Sequence, residues 1–205
     1  MIKISVFVSG RGSNFEAIMK AITNSLKKVE VCAVVSNKSD CGAVKLAESY
    51  GIPVYVASDS GKTGTVSYHN LLEILKEKQI DLIVLAGFLK KIPDEMIDEF
   101  SNRIVNIHPS LLPAFGGKGM YGLNVHKAVF EKSCMVSGPT VHFVDKIYDN
   151  GKIIAQEAVD ISNVNSPEEI AAKVLRVEHK LLPFVIGKIS EDKLKIKNNR
   201  VYLEN

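Results

Sequence analysis

The chain is short of cysteine, of net charge and of long apolar runs, and each shortage removes a class of protein. Cys32, Cys41 and Cys134 are its three cysteines, irregularly spaced and without a C-x-x-C pair. An odd count in that pattern argues against a disulfide framework and against structural zinc, and makes the cytoplasm the default compartment. Cys32 stands inside an apolar, strand-like run and is expected in the core. The formal net charge is +3 over 205 residues. That is too mild to make nucleic acid the main ligand, although it suits a small anion. No apolar run is long enough to span a bilayer, so neither nucleic acid nor membrane is an expected partner. The N-terminal MIKISVFVSG is apolar but short, and Gly10-Arg11-Gly12 follows at once; it reads as a first strand, not a signal peptide. Repeats, low-complexity tracts and linkers are missing as well, so residues 1–205 are expected to form a single domain. An apolar fraction of 46% supplies an ordinary core.

What is present alternates. Apolar runs predict strands over 2–8, 29–35, 53–56, 81–85 and 103–107. Helical patterns fall between them, over 14–22, 41–50, 68–78 and 94–100. Near-continuous apolar strands separated by helices specify an α/β fold, an open, doubly wound, mostly parallel sheet of Rossmann-like type with right-handed crossovers. The second half changes style. Runs at 140–144 and 153–161, joined by 145–152, predict an antiparallel extension. Ser166-Pro167-Glu168-Glu169 is a helix start, with a capping serine, proline at the first helical position and a glutamate to close a capping box. Ile170, Val174, Leu181 and Val185 form its buried stripe, and Pro183 is expected to kink it. The tail KLKIKNNRVYLEN reads as a hairpin turning at Asn198-Asn199.

Two stretches invite chemistry. Ser9-Gly10-Arg11-Gly12-Ser13-Asn14 lies between the first strand and the first helix, where backbone N–H groups and the helix dipole attract phosphate. It lacks the third glycine and the downstream acid of a dinucleotide fingerprint, and it lacks the GKS or GKT of a P-loop, which disfavours NAD and ATP. A tight turn capped by Ser13 or Asn14 explains the same residues without a ligand.

The second stretch is NIHPSLLP, residues 106–113. Asn106 and His108 share a face at the end of a strand, and Pro109 and Pro113 stiffen the exit. An amide N–H₂ beside an imidazole suits acyl chemistry, the amide donating to an oxyanion and the histidine donating or moving a proton. Asp145 or Asp149 is placed to orient the ring and favour its charged form. A satisfied buried histidine and a turn carboxylate are the plain alternatives. GxSxG is absent, as is any metal-ligand spacing among His108, His126, His142 and His179. The glycine loop, Asn106 with His108, and Ala86-Gly87-Phe88 would all fall at carboxyl ends of strands, where open parallel sheets bind ligands.

SGRGSN, VVSNK, LAGFLKKI, VNIHPSLLPAF, GPTVHFV with Asp149-Asn150-Gly151, and VEHKLLP occur in this order. So arranged, the chain closely resembles the phosphoribosylglycinamide formyltransferases, the folate-dependent glycinamide ribonucleotide transformylases of purine synthesis. The likeness covers about residues 2–203. It implies the formyltransferase fold. It also implies transfer of the formyl group of 10-formyltetrahydrofolate to the amine of phosphoribosylglycinamide through a tetrahedral oxyanion, without metal. By that resemblance Asn106, His108 and Asp149 are catalytic, Asp149 holding the histidine and raising its pKa. Gly12, Ser13 and Asn14 hold the substrate phosphate and Glu178 the ribose. Leu89, Lys90, Lys91 and Ile92, with Asn106, line the folate pocket, and Thr140 and His142 stand behind the active site.

Two departures from the family pattern stand out. Thr65 occupies a position where a basic residue is common, with Lys62 the nearest substitute. Residues 116–122 are longer and richer in glycine than usual and are expected to form a mobile flap, or else a tolerated surface insertion. The Leu112–Pro113 bond suits a cis turn. Two sibling enzymes compete with this reading. The methionyl-tRNA formyltransferase normally adds a C-terminal domain, and this chain ends too soon for one. Formyltetrahydrofolate hydrolase adds an N-terminal domain, and here the first strand starts at Ile2. A phosphate-binding module without catalysis would have no use for Asn106, His108 and Asp149 together. The expected assembly is a monomer or homodimer.

Overall fold

The computed structural model describes residues 1–204. They fall into two compact units, Met1–Val105 and the residues from Asn106 onward. The first unit alternates β1 (Ile2–Val8), α1 (Ser13–Asn24), β2 (Val29–Ser36), α2 (Gly42–Ser49), β3 (Val54–Val56), α3 (Tyr68–Glu77), β4 (Leu82–Leu85) and α4 (Asp94–Glu99). β1 pairs in parallel with β2 and with β4, and β2 in parallel with β3. Val6, Phe7 and Val8 on β1, Val34 and Val35 on β2, and Ile83 and Val84 on β4 are wholly buried. Strands apolar on both sides need cover on both faces, which the intervening helices provide. Cys32 corrects an expectation. Ile4 pairs with Val31 and Ser5 with Ala33, so Cys32 is the extra residue of a β-bulge and its side chain is half-buried instead of in the core.

β5 (Ile104–His108) leads into the second unit. There follow α5 (Leu123–Glu131), β6 (Val136–Ser137), β7 (Thr140–Phe143), β8 (Ile153–Gln156), β9 (Val159–Asp160), α6 (Pro167–Ser190), β10 (Leu194–Lys197) and β11 (Arg200–Leu203). The strand order of the seven-stranded sheet is β3-β2-β1-β4-β5-β7-β8, and β7 and β8 are antiparallel. This is the mostly parallel α/β sheet with an antiparallel side that the alternation of apolar runs specifies.

Four local outcomes differ from or refine the reading of the sequence. The expected strand over 153–161 breaks into β8 and β9, because Glu157 donates its N–H to the Pro139 carbonyl and β9 then pairs with β6. α5 was not foreseen; its Val125 and Val129 pack with Ile161, Ile170 and Val174. α6 runs as one helix of 24 residues with Pro183 inside it. Its cap is a capping box displaced by one residue: Ser166 Oγ accepts from the Glu169 N–H at 3.3 Å, while Glu169 Oε2 accepts from the Asn165 N–H at 2.9 Å. The tail hairpin turns at Asn198 and Asn199 with φ of 52° and 59°, the left-handed pair that a two-residue turn requires.

Candidate active site

β5 ends in Asn106-Ile107-His108, where the two-residue period sets Asn106 and His108 on one face and Ile107 on the other. His108 is buried, and its Nε2 lies 2.9 Å from the Phe115 carbonyl oxygen. A carbonyl only accepts, so Nε2 carries the hydrogen. His108 Nδ1 faces Asp149 Oδ2 at 3.5 Å, and Asp149 Oδ1 lies 3.6 Å from His142 Nε2. Asp149 Oδ2 also accepts the Gly117 N–H at 2.8 Å. His142 Nε2 is 3.1 Å from Asn106 Nδ2. Four of the residues that the sequence nominates within this unit, Asn106, His108, His142 and Asp149, therefore form one linked cluster.

The turn that carries Asp149 explains its aim. Asp149 has φ 53°, and at Gly151 a Cβ would stand 1.8 Å from the Phe143 carbonyl oxygen. Only glycine lets the chain pass so close and turn the carboxylate inward. Asp145 is engaged elsewhere, holding the Ile147 N–H and the Asn150 amide, so Asp149 is the acid at His108. Gly116 serves the same cluster from the other side. A Cβ there would meet Leu112 Cδ2 at 2.6 Å and Asp149 Cβ at 3.2 Å. The start of the stretch expected as a flap is thus tied to Asp149.

Charge follows from burial and neighbours. Burial pushes Asp149 upward, but His142, His108 and the Gly117 N–H together outweigh it and hold the carboxyl below its ordinary range. Burial pushes the His108 imidazolium the other way. Asp149 and the Phe115 carbonyl pull its pKa up without overcoming burial, and the net direction is down. The sequence reading expects a raised value. Asp149 acts in the expected direction, but at 3.5 Å its pull is weaker than the desolvation of a nearly inaccessible ring. A third imidazole, His126 on α5, is buried and has an unpartnered Nδ1. Burial, with the nearby His108 charge, pushes it down to about 4.

Behind the cluster, Thr140 is wholly buried. Its hydroxyl donates to the Ser110 carbonyl at 2.6 Å and accepts from the Leu112 N–H at 3.0 Å. Gln156 Nε2 donates to Thr140 Oγ1 and to the Leu112 carbonyl, both at 2.9 Å. The exit from β5 is held by these bonds, and Leu112–Pro113 is cis. Sequence reasoning missed Gln156, the Phe115 carbonyl, the Gly117 N–H and His126. Backbone donors and acceptors leave no side-chain signal. The glycine pair before Lys118 was the available sign of a close backbone approach.

In the first unit, Gly12 has φ 86° and occupies the N-cap of α1, with no side-chain cap bond. The alternative in which Ser13 or Asn14 caps the turn is not what the chain adopts; Ser13 is already the first helical residue. A Cβ at Gly12 would lie 2.7 Å from Ala43 Cβ, so α2 backs the loop closely. Ser9 Oγ accepts the Leu89 N–H at 2.9 Å, and the Phe88 ring meets Phe7 edge-on at 5.3 Å. Leu89 is half-exposed and Ile92 buried. Lys90 is exposed, and Lys91 pairs with Asp94 at 3.0 Å. Lys62 is exposed, its carbonyl accepting the Thr65 hydroxyl. Glu178 is buried in α6 of the second unit. Among the described residues no group of His, Cys, Asp and Glu gathers to hold a metal, and no helix is long and apolar enough to cross a membrane.

Comparison with known proteins gives the family. The formyl transferase family model matches residues 2–186. A chloroplastic phosphoribosylglycinamide formyltransferase of Arabidopsis thaliana is 46% identical over 203 residues, covering 98% of this chain and 70% of the relative. The phosphoribosylglycinamide formyltransferase of Bacillus subtilis is 34% identical, covering 92% of this chain and 95% of the relative. The solved structure of phosphoribosylglycinamide formyltransferase from Anaplasma phagocytophilum superposes with a TM-score of 0.89 at 32% identity, over 100% of this chain and 94% of that one. The chain belongs to the formyl transferase family, in its phosphoribosylglycinamide formyltransferase branch.

Proposed function

We propose that the cluster at the end of β5 performs the family's formyl transfer by direct attack, with no covalent intermediate on the protein. The reaction moves the formyl group of 10-formyltetrahydrofolate to the amine of phosphoribosylglycinamide, a step of purine biosynthesis. The observation that carries the reading is the engagement of one ionised carboxylate, Asp149, with His108, His142 and the Gly117 N–H.

Attack of the amine on the formyl carbon builds an oxyanion and a proton to dispose of. Asn106 offers amide N–H to the oxyanion. His108, whose pKa lies below the ordinary value, rests neutral at pH 7 and accepts the proton. With Nε2–H directed at the Phe115 carbonyl, the imidazolium carries its second hydrogen at Nδ1 against Asp149 Oδ2. The proton given up by the amine reaches the departing folate nitrogen by relay through solvent, with this imidazole as its holding point. An amine nucleophile and an activated formyl donor need chiefly positioning and charge stabilisation. The uncapped loop at Gly12, Ser13 and Asn14 takes the phosphate, Glu178 the ribose, and Leu89 to Ile92 the folate. The chain acts as a single formyltransferase domain in the cytoplasm, as a monomer or homodimer.

The test is an assay of purified protein with phosphoribosylglycinamide and a 10-formylfolate donor, beside His108→Ala and a reaction lacking the amine. Amine-dependent formylated product, lost in the variant, is the expected result. Deformylation without the amine would assign a hydrolase instead. Ligand binding without turnover would leave a binding module.

A further inference from the structure

We propose that His142 is a positioning residue that fixes the orientation of the Asn106 amide, and so decides which of its atoms serves the reaction. The proposal rests on Asn106 acting as the oxyanion donor. His142 is 2% exposed, too enclosed to exchange its partners with water. Its Nδ1 lies 2.7 Å from the Phe143 carbonyl oxygen. That oxygen has only lone pairs to offer, so Nδ1 must carry the hydrogen. In the neutral ring Nε2 is then a pure acceptor. The atom that meets it, at 3.1 Å, is Asn106 Nδ2, a donor.

This pairing is selective. Rotating the amide by half a turn would set Asn106 Oδ1 against the Nε2 lone pair, two acceptors with no hydrogen between them. In a buried site such a clash is not relieved by solvent. One amide hydrogen is therefore held by His142, and the second N–H is left, in a fixed direction, as the donor of the group. Without His142 the amide loses the partner that tells its oxygen from its nitrogen, and the inverted rotamer offers an acceptor where the oxyanion needs a hydrogen.

The Phe143 carbonyl that sets the tautomer is itself held in place. The Phe143 N–H bonds the Lys152 carbonyl at 2.9 Å, and Gly151 passes so close to the Phe143 oxygen that no Cβ fits. Asp149 Oδ1 stands 3.6 Å from His142 Nε2, beyond a good hydrogen bond. A second proton on His142 Nε2 would turn that atom into a donor and invert the amide. Local geometry thus distinguishes a neutral His142 with Asn106 Nδ2 facing it from a cationic His142 with Asn106 Oδ1 facing it.

Two measurements test the proposal. On the unsubstituted protein, ¹⁵N NMR of the imidazoles at pH 7.5, assigned through His142→Gln, should show His142 protonated at Nδ1 and bare at Nε2. A protonated Nε2 would overturn the proposal irrespective of activity. In steady-state assays His142→Phe should lower kcat about 10²-fold, in the range for one lost oxyanion donor, with KM for both substrates within about twofold. His142→Gln, whose side-chain oxygen can accept from the amide, should recover at least about tenfold of that loss. Asn106→Ala combined with His142→Phe should be no worse than Asn106→Ala alone by more than about threefold, since both act through one group. Multiplying losses, or a His142→Gln no better than His142→Phe at equal thermal stability, would also overturn it. If Asn106→Ala alone leaves kcat unchanged, the oxyanion reading of Asn106 fails, and the NMR result still decides the contact.

Discussion

Acid should unfold this protein through His126 before most of its carboxylates matter. The ring is 5% exposed on α5, its Nδ1 has no partner, and burial with the His108 charge pushes its pKa down to about 4. In an unfolded chain the value returns to about 6.5. A folded pKa below the unfolded one means that the unfolded state binds the proton first. The stability at stake is therefore complete above the unfolded value and drains away as the pH falls through the folded one. From a pKa of about 4 in the fold, linkage gives a loss of about 2 kcal/mol between pH 7 and pH 5, rising to about 3 kcal/mol below pH 4.

His126→Leu removes the titration at similar volume. The chain has no tryptophan, so unfolding in urea is followed by far-UV circular dichroism at pH 7.5, 6 and 5. The variant should lie near the wild type at pH 7.5 and exceed it by about 2 kcal/mol at pH 5. The comparison subtracts every other titrating group, His108 included, because those are common to both proteins. Parallel pH dependences in the two proteins would refute the reasoning. They would mean that His126 takes its proton in the fold as readily as in water.

Other outcomes follow from the same geometry. Asp149→Asn should lower kcat at least about 10²-fold and move the acid limb of kcat/KM to lower pH, since the carboxylate is what pulls the His108 pKa up; an upward shift in the pH profile would contradict the assignment. Ser9→Ala removes the acceptor of the Leu89 N–H and should raise the folate KM about threefold to tenfold with the ribonucleotide KM unchanged, measured by varying each substrate in turn. Gly12→Ala puts a Cβ 2.7 Å from Ala43 Cβ at φ 86° and should cost more than about 1 kcal/mol in thermal unfolding and weaken phosphate-bearing ligands by calorimetry. Ser166→Ala should cost about 1 kcal/mol of stability, without effect on kcat, through the lost cap of α6.

Much of the fold is legible because periodicity and turn chemistry are local. Alternating apolar runs specify β1 to β4 and their helices, Ser166 to Glu169 specifies the start of α6, and Asn198-Asn199 specifies the final turn. Where the outcome depends on distant partners the sequence is silent. β8 stops at Gln156 because Glu157 is drawn to Pro139, and nothing in 153–161 announces it. Cys32 looks like a core residue until the register slips between Ile4 and Ser5. α5 hides behind a glycine-rich stretch whose Gly122 precedes its first turn. In the second unit, Asn106, His108, His142 and Asp149, named by motif, lie together, while the Phe115 carbonyl and Gly117 N–H that join the cluster belong to backbone and have no letter of their own. Residues 116 and 117 are glycine because Asp149 and Leu112 leave no room for a Cβ at one and φ is 97° at the other. These first two residues of the expected flap are thus held by a close approach to Asp149.

The charge balance of the cluster bears on where the proposed reaction would hold its proton. His108, His126 and His142 are all buried, and Asp149 is the carboxylate that meets His108 and His142. One negative charge can stabilise one added proton against desolvation, and a second would meet both burial and its neighbour's charge. His126 is already disfavoured by burial and, after it, by the His108 charge. His142 is tied through Nδ1 to a carbonyl and through Nε2 to an amide donor; taking a proton there requires the Asn106 amide to invert. His108 is different. Its Nδ1 faces the carboxylate at 3.5 Å, and protonation there leaves the Nε2 bond to the Phe115 carbonyl intact. In the proposed reaction, His108 is thus the ring that would hold the proton released by the attacking amine, beside the carboxylate of Asp149.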